Sequence, residues 1–269
     1  MPGRMPYDPL YLRDLFSHSA WYYDAVNAVT SAGQVFLWRR EVAALAAPRP
    51  TDRVLDAFAG TGGLALAVLP RLDARGELVL ADLSPAMLHV AQKRIGTRLA
   101  GQGEERRPHV GFVVGDLLGD DLDLGRFDVV TLGWGLRYVA DVPAALKRVR
   151  ALLRPGGRLV VLEFTQPRRR SWATPAHVFF RDAVPRVGSW LAGDAELHDY
   201  MRDSSAAFPP AEVLAGLMGA TGLTVTAVRS HLGGLVTIVA AEDPSGAAED
   251  ASVAVEHRTA FAEDLTRAG

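Results

Sequence analysis

The stretch RVLDAFAGTGGLALAVLPRL (53–72) decides the fold. RVLDAF (53–58) is a short apolar run bounded upstream by Pro50; AGTGG follows, and then LALAVLPRL. That order reads as strand, tight glycine turn and helix. Gly60, Gly62 and Ala65 satisfy a loose G-x-G-x-x-A pattern, a weak signal that brings a dinucleotide site into consideration. Asp56 argues against one. It precedes the first glycine by four residues, at the end of the strand. A carboxylate there repels a pyrophosphate but accepts a hydrogen bond from an ammonium group. The glycines still let a ligand approach the backbone closely.

Outward from this stretch the pattern repeats. ELVLAD (77–82) is a second strand ending in Asp82, 22 residues beyond Gly60, where it can accept both hydroxyls of a ribose. Ser84 and Pro85 then open a helix whose apolar stripe is Met87, Val90, Ala91, Ile95 and Leu99. HVGFVVGD (109–116) is a third strand ending in Asp116, with Leu117 and Leu118 behind it. That arrangement can bond a purine amine while apolar side chains flank the ring. Three strand ends thus offer partners for an amino acid, a ribose and a base, and the ligand implied is S-adenosylmethionine. Taken singly, each acid reads equally well as a cap or turn.

RFDVVTLG (126–133) and RLVVLEF (158–164) continue the alternation, with a helix over 141–153 between them. A helix at 211–219 precedes strands at 224–230 and 235–241, whose short connection makes them antiparallel. The whole is an α/β chain with seven strands, mostly parallel, and helices on both faces. Residues 1–48, crowded with aromatics, read as an N-terminal helical cap. Residues 49–241 form the core, with a substrate-covering insertion at 165–210. Residues 242–269 form an acidic tail with a short helix around 251–266.

Composition narrows the function. The chain of 269 residues has no cysteine, which excludes disulfide frameworks, thiolate nucleophiles and cysteine-held metals. Its net charge of −2 gives no global argument for nucleic acid. No run approaches the ~18 apolar residues of a membrane span, and the start lacks a signal peptide's apolar segment. A cytoplasmic protein without a transmembrane segment is expected, with no metal; a homodimer stays open.

The residues VLDAFAGTG (54–62), AD (81–82), GD (115–116) and LRPGGRLVVLEF (153–164) resemble the class I S-adenosylmethionine-dependent methyltransferases. The segment GWGLRYVADVPAALKRVRALLRPGGRLVVLEFTQP (133–167) is similar to the quinone-ring C-methyltransferases of ubiquinone and menaquinone biosynthesis. Segments 22–40, 184–210 and 231–240 agree, so the resemblance spans about residues 14–240. It implies a Rossmann-like sheet of order 3-2-1-4-5-7-6 with strand 7 antiparallel. It also implies that Thr61 and Gly62 meet the cofactor, that Asp82 holds its ribose, that Asp116 with Leu117 holds its adenine, and that Gly133 lines the site; Asp56, Gly60 and Leu83 complete the expected cofactor set.

Methyl transfer from a sulfonium needs positioning more than proton transfer. Methylation at a ring carbon also needs an ionised ortho hydroxyl, which an arginine can stabilise. Arg137 is the first choice for that role; its plainer reading is a pair with a surface acid such as Asp141. Trp134 and Tyr138 are expected to orient the ring, and Glu163 to bind a polar group or brace Arg137. His177 is the proposed proton acceptor, with His18 and Tyr22 on the substrate side. His198 is a weaker candidate, and Arg168-Arg169-Arg170 reads best as a solvated turn.

Three positions leave the family's pattern: Phe58 for glycine, Gly63 for an acid, and Tyr138 for asparagine. They favour an aromatic or polyketide-like small-molecule acceptor over the housekeeping demethylmenaquinone methyltransferase. O- or N-methylation, and a cofactor-binding cyclase without methyl transfer, are the other readings.

Overall fold

The computed structural model describes residues 8–119, 122–167 and 195–246. Its seven strands form one sheet in the order β3-β2-β1-β4-β5-β7-β6. The strands are β1 (Arg53–Ala57), β2 (Glu77–Asp82), β3 (His109–Val114), β4 (Phe127–Gly133), β5 (Leu153–Phe164), β6 (Thr224–His231) and β7 (Val236–Glu242). The first five pair in parallel, and β7 runs antiparallel to both β5 and β6. The expected order, including the reversed strand, is the observed one.

Alternation along each central strand builds two cores. Val54, Leu78, Leu80, Val129, Val160, Leu162 and Ile238 face one layer of helices. Leu55, Val79, Val130, Leu132, Val161 and Val239 face the other. The first layer holds α3 (Gln34–Ala46), α4 (Gly63–Val68) and α5 (Pro85–Leu99). The second holds α6 (Val142–Ala151) and α8 (Ala211–Ala220). Burial on both faces explains why these strands read as nearly continuous apolar runs.

The N-terminal helices divide in role. From α3, Val35, Trp38, Val42, Ala43 and Ala46 are buried in the first core together with the strands. By contrast, α1 (Pro9–Ser19) packs against α5 and against α7 (Ala195–Ala207), while α2 (Tyr23–Thr30) lies beside α3. Helix α4 is shorter than its sequence suggests. It stops at Val68, and Pro70 forces the next residues, Leu69–Arg71, into a tight turn. His177, the arginine run 168–170 and the helix expected around 251–266 lie outside the described residues, as does the side chain of His198.

Candidate active site

The carboxyl ends of β1, β2 and β4 open into a cavity walled by Asp56, Gly60, Thr61, Asp82, Leu83 and Gly133, among others. Asp56 is buried at the end of β1. The Ala65 amide donates to its Oδ2 (2.8 Å) and the Thr131 hydroxyl to its Oδ1 (3.0 Å). Burial nevertheless pushes its carboxyl up to about 7, against those two hydrogen bonds and the charge of Arg39. Asp82 accepts the Gly60 amide on Oδ2 (2.7 Å) and the Ser84 amide on Oδ1 (2.8 Å), and burial raises its pKa as well.

These two acids tie down the glycine turn and the start of α5. A carboxylate has roughly four acceptor sites, so each retains capacity towards the cavity. Two under-compensated buried carboxyls suit a ligand that brings hydroxyls and a positive charge. The donor set therefore fits S-adenosylmethionine.

Other members of the expected cofactor set sit elsewhere. Gly62 is not among the residues that wall the cavity. Its φ is +75°, and a Cβ there would lie 3.0 Å from the Ala91 Cβ and 3.2 Å from Leu80 Cδ2. Its need for glycine comes from the close approach of α4 to α5 and β2. Gly62→Val is expected to destabilise the fold by about 2–4 kcal/mol, through backbone strain plus overpacking. A thermal unfolding midpoint equal to the parent's would contradict this. Asp116 and Leu117 are also absent from the wall. Asp116 accepts the Leu118 amide (2.9 Å) in a turn, and Leu117 is buried in the second core.

A second cavity lies beside the first and is walled mainly by apolar side chains, including Tyr22, Val26, Trp38, Phe164, Leu197 and Met201. Arg137 reaches it from the turn Leu136–Tyr138 after β4. Its side chain is 1% exposed, too buried for a surface pair. Nη1 donates to Glu163 Oε1 (2.8 Å) and Nη2 to the Tyr138 hydroxyl (2.6 Å). Its Nε has no partner among the described residues.

Glu163, at the end of β5, is fully buried and also accepts the Phe164 amide (2.9 Å), so it braces the arginine. Asp141 instead caps α6 by accepting the Ala144 amide (2.9 Å). Burial opposes the Arg137 charge, but the Glu163 carboxylate and the hydrogen bond to Tyr138 hold the guanidinium protonated. Burial likewise raises Tyr138 and Tyr23, with Arg137 only partly offsetting it, so both remain phenols.

Tyr23 and Trp134 wall both cavities. Trp134 adopts φ +62°, its amide donates to the Leu162 carbonyl (2.9 Å), and its ring centroid lies 4.4 Å from that of Phe164. Tyr22 walls the second cavity and Tyr138 the first. His18 lies on α1, with Nδ1 2.7 Å from the Asp14 carbonyl oxygen, and walls neither cavity.

The sequence reading missed Tyr23 and Arg39. Tyr22 precedes α2 and Tyr23 begins it, so helical spacing does not separate their directions. For Arg39, the available signal was a basic residue beside Trp38 in a segment already matched to the family pattern.

Residues 7–242 match the ubiE/COQ5 methyltransferase family. A demethylmenaquinone methyltransferase from Thermus thermophilus is 36% identical over 78% of this chain and 92% of its own. The ubiquinone/menaquinone biosynthesis C-methyltransferase UbiE of Idiomarina loihiensis is 32% identical, covering 84% of this chain and 87% of its own. Among solved structures, the [4+2]-cyclase SpnF superposes with a TM-score of 0.55 at 16% identity, over 78% of this chain and 81% of that one. That likeness speaks for the fold alone. Among the described residues, no helix is long and apolar enough to cross a membrane.

Proposed function

Because this chain belongs to the ubiE/COQ5 methyltransferase family, and is thus an S-adenosylmethionine-dependent methyltransferase, we propose that it methylates a ring carbon of a reduced quinone of the demethylmenaquinone type. The expected preference for a specialised polyketide-like acceptor gives way here. The relatives that share most of the chain's length carry quinone names. The departures that motivated the preference also prove mild. Phe58 keeps a glycine-like φ of +53°, and Tyr138 uses its hydroxyl to bond Arg137.

The observation that carries the proposal is the buried, protonated Arg137, with its free Nε beside the wall common to both cavities. S-adenosylmethionine supplies an electrophilic methyl group on a sulfonium. Asp56 is proposed to accept the ammonium of that molecule, and Asp82 its ribose hydroxyls. In the second cavity Arg137 stabilises the ionised ring hydroxyl, which enriches the ortho carbon. Glu163 fixes the guanidinium. Trp134 and Phe164 offer flat apolar faces to the ring. His177 remains the proposed proton acceptor, and a cytoplasmic setting goes with this reading.

The test is incubation of the protein with S-adenosylmethionine and a detergent-dispersed demethylmenaquinol under reducing conditions. Mass spectrometry should show one added methyl on a ring carbon. Transfer to a simple polyketide phenol but not to the quinol would sink the acceptor assignment. Methylation on oxygen would overturn the ring-carbon reading.

A further inference from the structure

Arg39, on α3, is a charged residue in the wall of the first cavity that no role above uses. Its side chain is 9% exposed, and among the described residues its one hydrogen bond runs from Nη2 to Asp24 Oδ1 (3.0 Å). No hydrogen bond of Nε or Nη1 is found among the described residues.

The guanidinium lies directly over Gly63. A Cβ built on that glycine would fall 2.4 Å from Cζ, 2.6 Å from Nε and 2.7 Å from Nη2. A side chain at position 63 would therefore push the Arg39 guanidinium aside. Gly63 does not need a positive φ, so what its missing side chain provides is room for the guanidinium.

The local charge is unbalanced. Asp24 is shared by Arg39 and Arg94, and Arg94 spends a further bond on the Thr61 carbonyl (2.8 Å). One carboxylate serves two guanidiniums, which leaves a positive charge beside the cavity. Burial draws the Arg94 pKa below its usual value, Asp24 raises it, and Arg39 adds to the lowering. The same cavity wall carries the buried acids Asp56 and Asp82. A cation and an acid on one wall complement a zwitterion.

We propose that Arg39 binds the α-carboxylate of the donor's amino-acid end while Asp56 takes its α-ammonium, and that Gly63 is glycine to seat this arginine. The inference rests on the S-adenosylmethionine reading above.

Calorimetry on the full chain with two ligands tests it. One is S-adenosylhomocysteine; the other is S-adenosyl-3-thiopropylamine, the same molecule without its carboxylate. Arg39→Ala is expected to weaken S-adenosylhomocysteine binding by about 10- to 100-fold, as befits loss of a charge-assisted hydrogen bond. Binding of the thiopropylamine should stay within about twofold. Arg39→Lys should fall between parent and alanine variant, because it retains the charge but not the fork. Gly63→Ala, which displaces the guanidinium without removing it, should reproduce the loss. Equal weakening of both ligands, or of neither, overturns the carboxylate assignment while the donor reading stands. A parent protein that binds no S-adenosylhomocysteine overturns both.

Discussion

Arg137→Ala is expected to lower kcat by about 10²- to 10³-fold while leaving S-adenosylhomocysteine affinity within about twofold. The rate effect follows from losing the fixed positive charge where the ring oxygen ionises. Affinity is spared because Arg137 walls the second cavity and not the first. The substitution has a second consequence. Glu163 would keep a buried carboxylate without its partner, an imbalance that costs about 3–5 kcal/mol of stability. A loss of activity could then arise from unfolding.

The double variant Arg137→Met with Glu163→Gln separates the two effects. It removes both charges, so its unfolding midpoint should recover most of the loss, while kcat should not recover. Arg137→Lys should restore part of kcat by keeping the charge. If the double variant regained turnover along with stability, Arg137 would be a packing residue and the proposed chemistry would fail.

Asp56→Asn is expected to weaken cofactor binding about thirtyfold or more, the usual result of truncating one partner of a buried charge pair. In the parent the affinity should itself depend on pH. Burial holds the Asp56 carboxyl at about 7, so acidification from pH 8 to pH 6 shifts it from mostly ionised to mostly protonated. Binding of a cationic ammonium should fall roughly tenfold over that interval. The asparagine variant should lose this dependence.

Stability moves in the opposite sense. A carboxyl whose folded pKa lies above its unfolded value contributes stability that is complete below the unfolded pKa and is lost as pH rises through about 7. The ligand-free parent should therefore gain in unfolding temperature relative to Asp56→Asn as pH falls from 8 to 6. A constant difference between the two across that range would refute the raised pKa.

The strand order and the local acids were legible because they depend on short-range pattern. Pro50 and the glycine turn bound β1, nearly continuous apolar runs mark the central strands, and Asp56 and Asp82 sit where their strands stop. The bracing of Arg137 by Glu163 was also within reach, since Gly133 and Leu162 are paired neighbours in β4 and β5 just before those two side chains. What escaped depends on tertiary contact. Nothing in the spacing of Trp38 and Arg39 says that the arginine crosses to Gly63. Asp116 and Asp82 each accept the amide two residues on, so local pattern does not tell that only Asp82 walls the first cavity.

Phe58 stands where the family pattern has glycine, and its backbone keeps the left-handed conformation, which costs about 1–2 kcal/mol for such a residue. The ring finds its room over Gly135, where a Cβ would stand 2.6 Å from Phe58 Cγ. The adjustment was made in the neighbouring loop, at a glycine that local pattern does not single out.

The wall between the cavities has two kinds of origin. Trp134 is pinned to β5 through its amide, so that side is anchored to the sheet. The opposite surfaces of the second cavity come from α2 and α7, through Val26, Leu197 and Met201. Changes in those helices can resize that cavity without disturbing the strand ends that carry Asp56 and Asp82. Under the proposed function, acceptor range can thus diversify by drift in two helices while the donor chemistry is inherited intact.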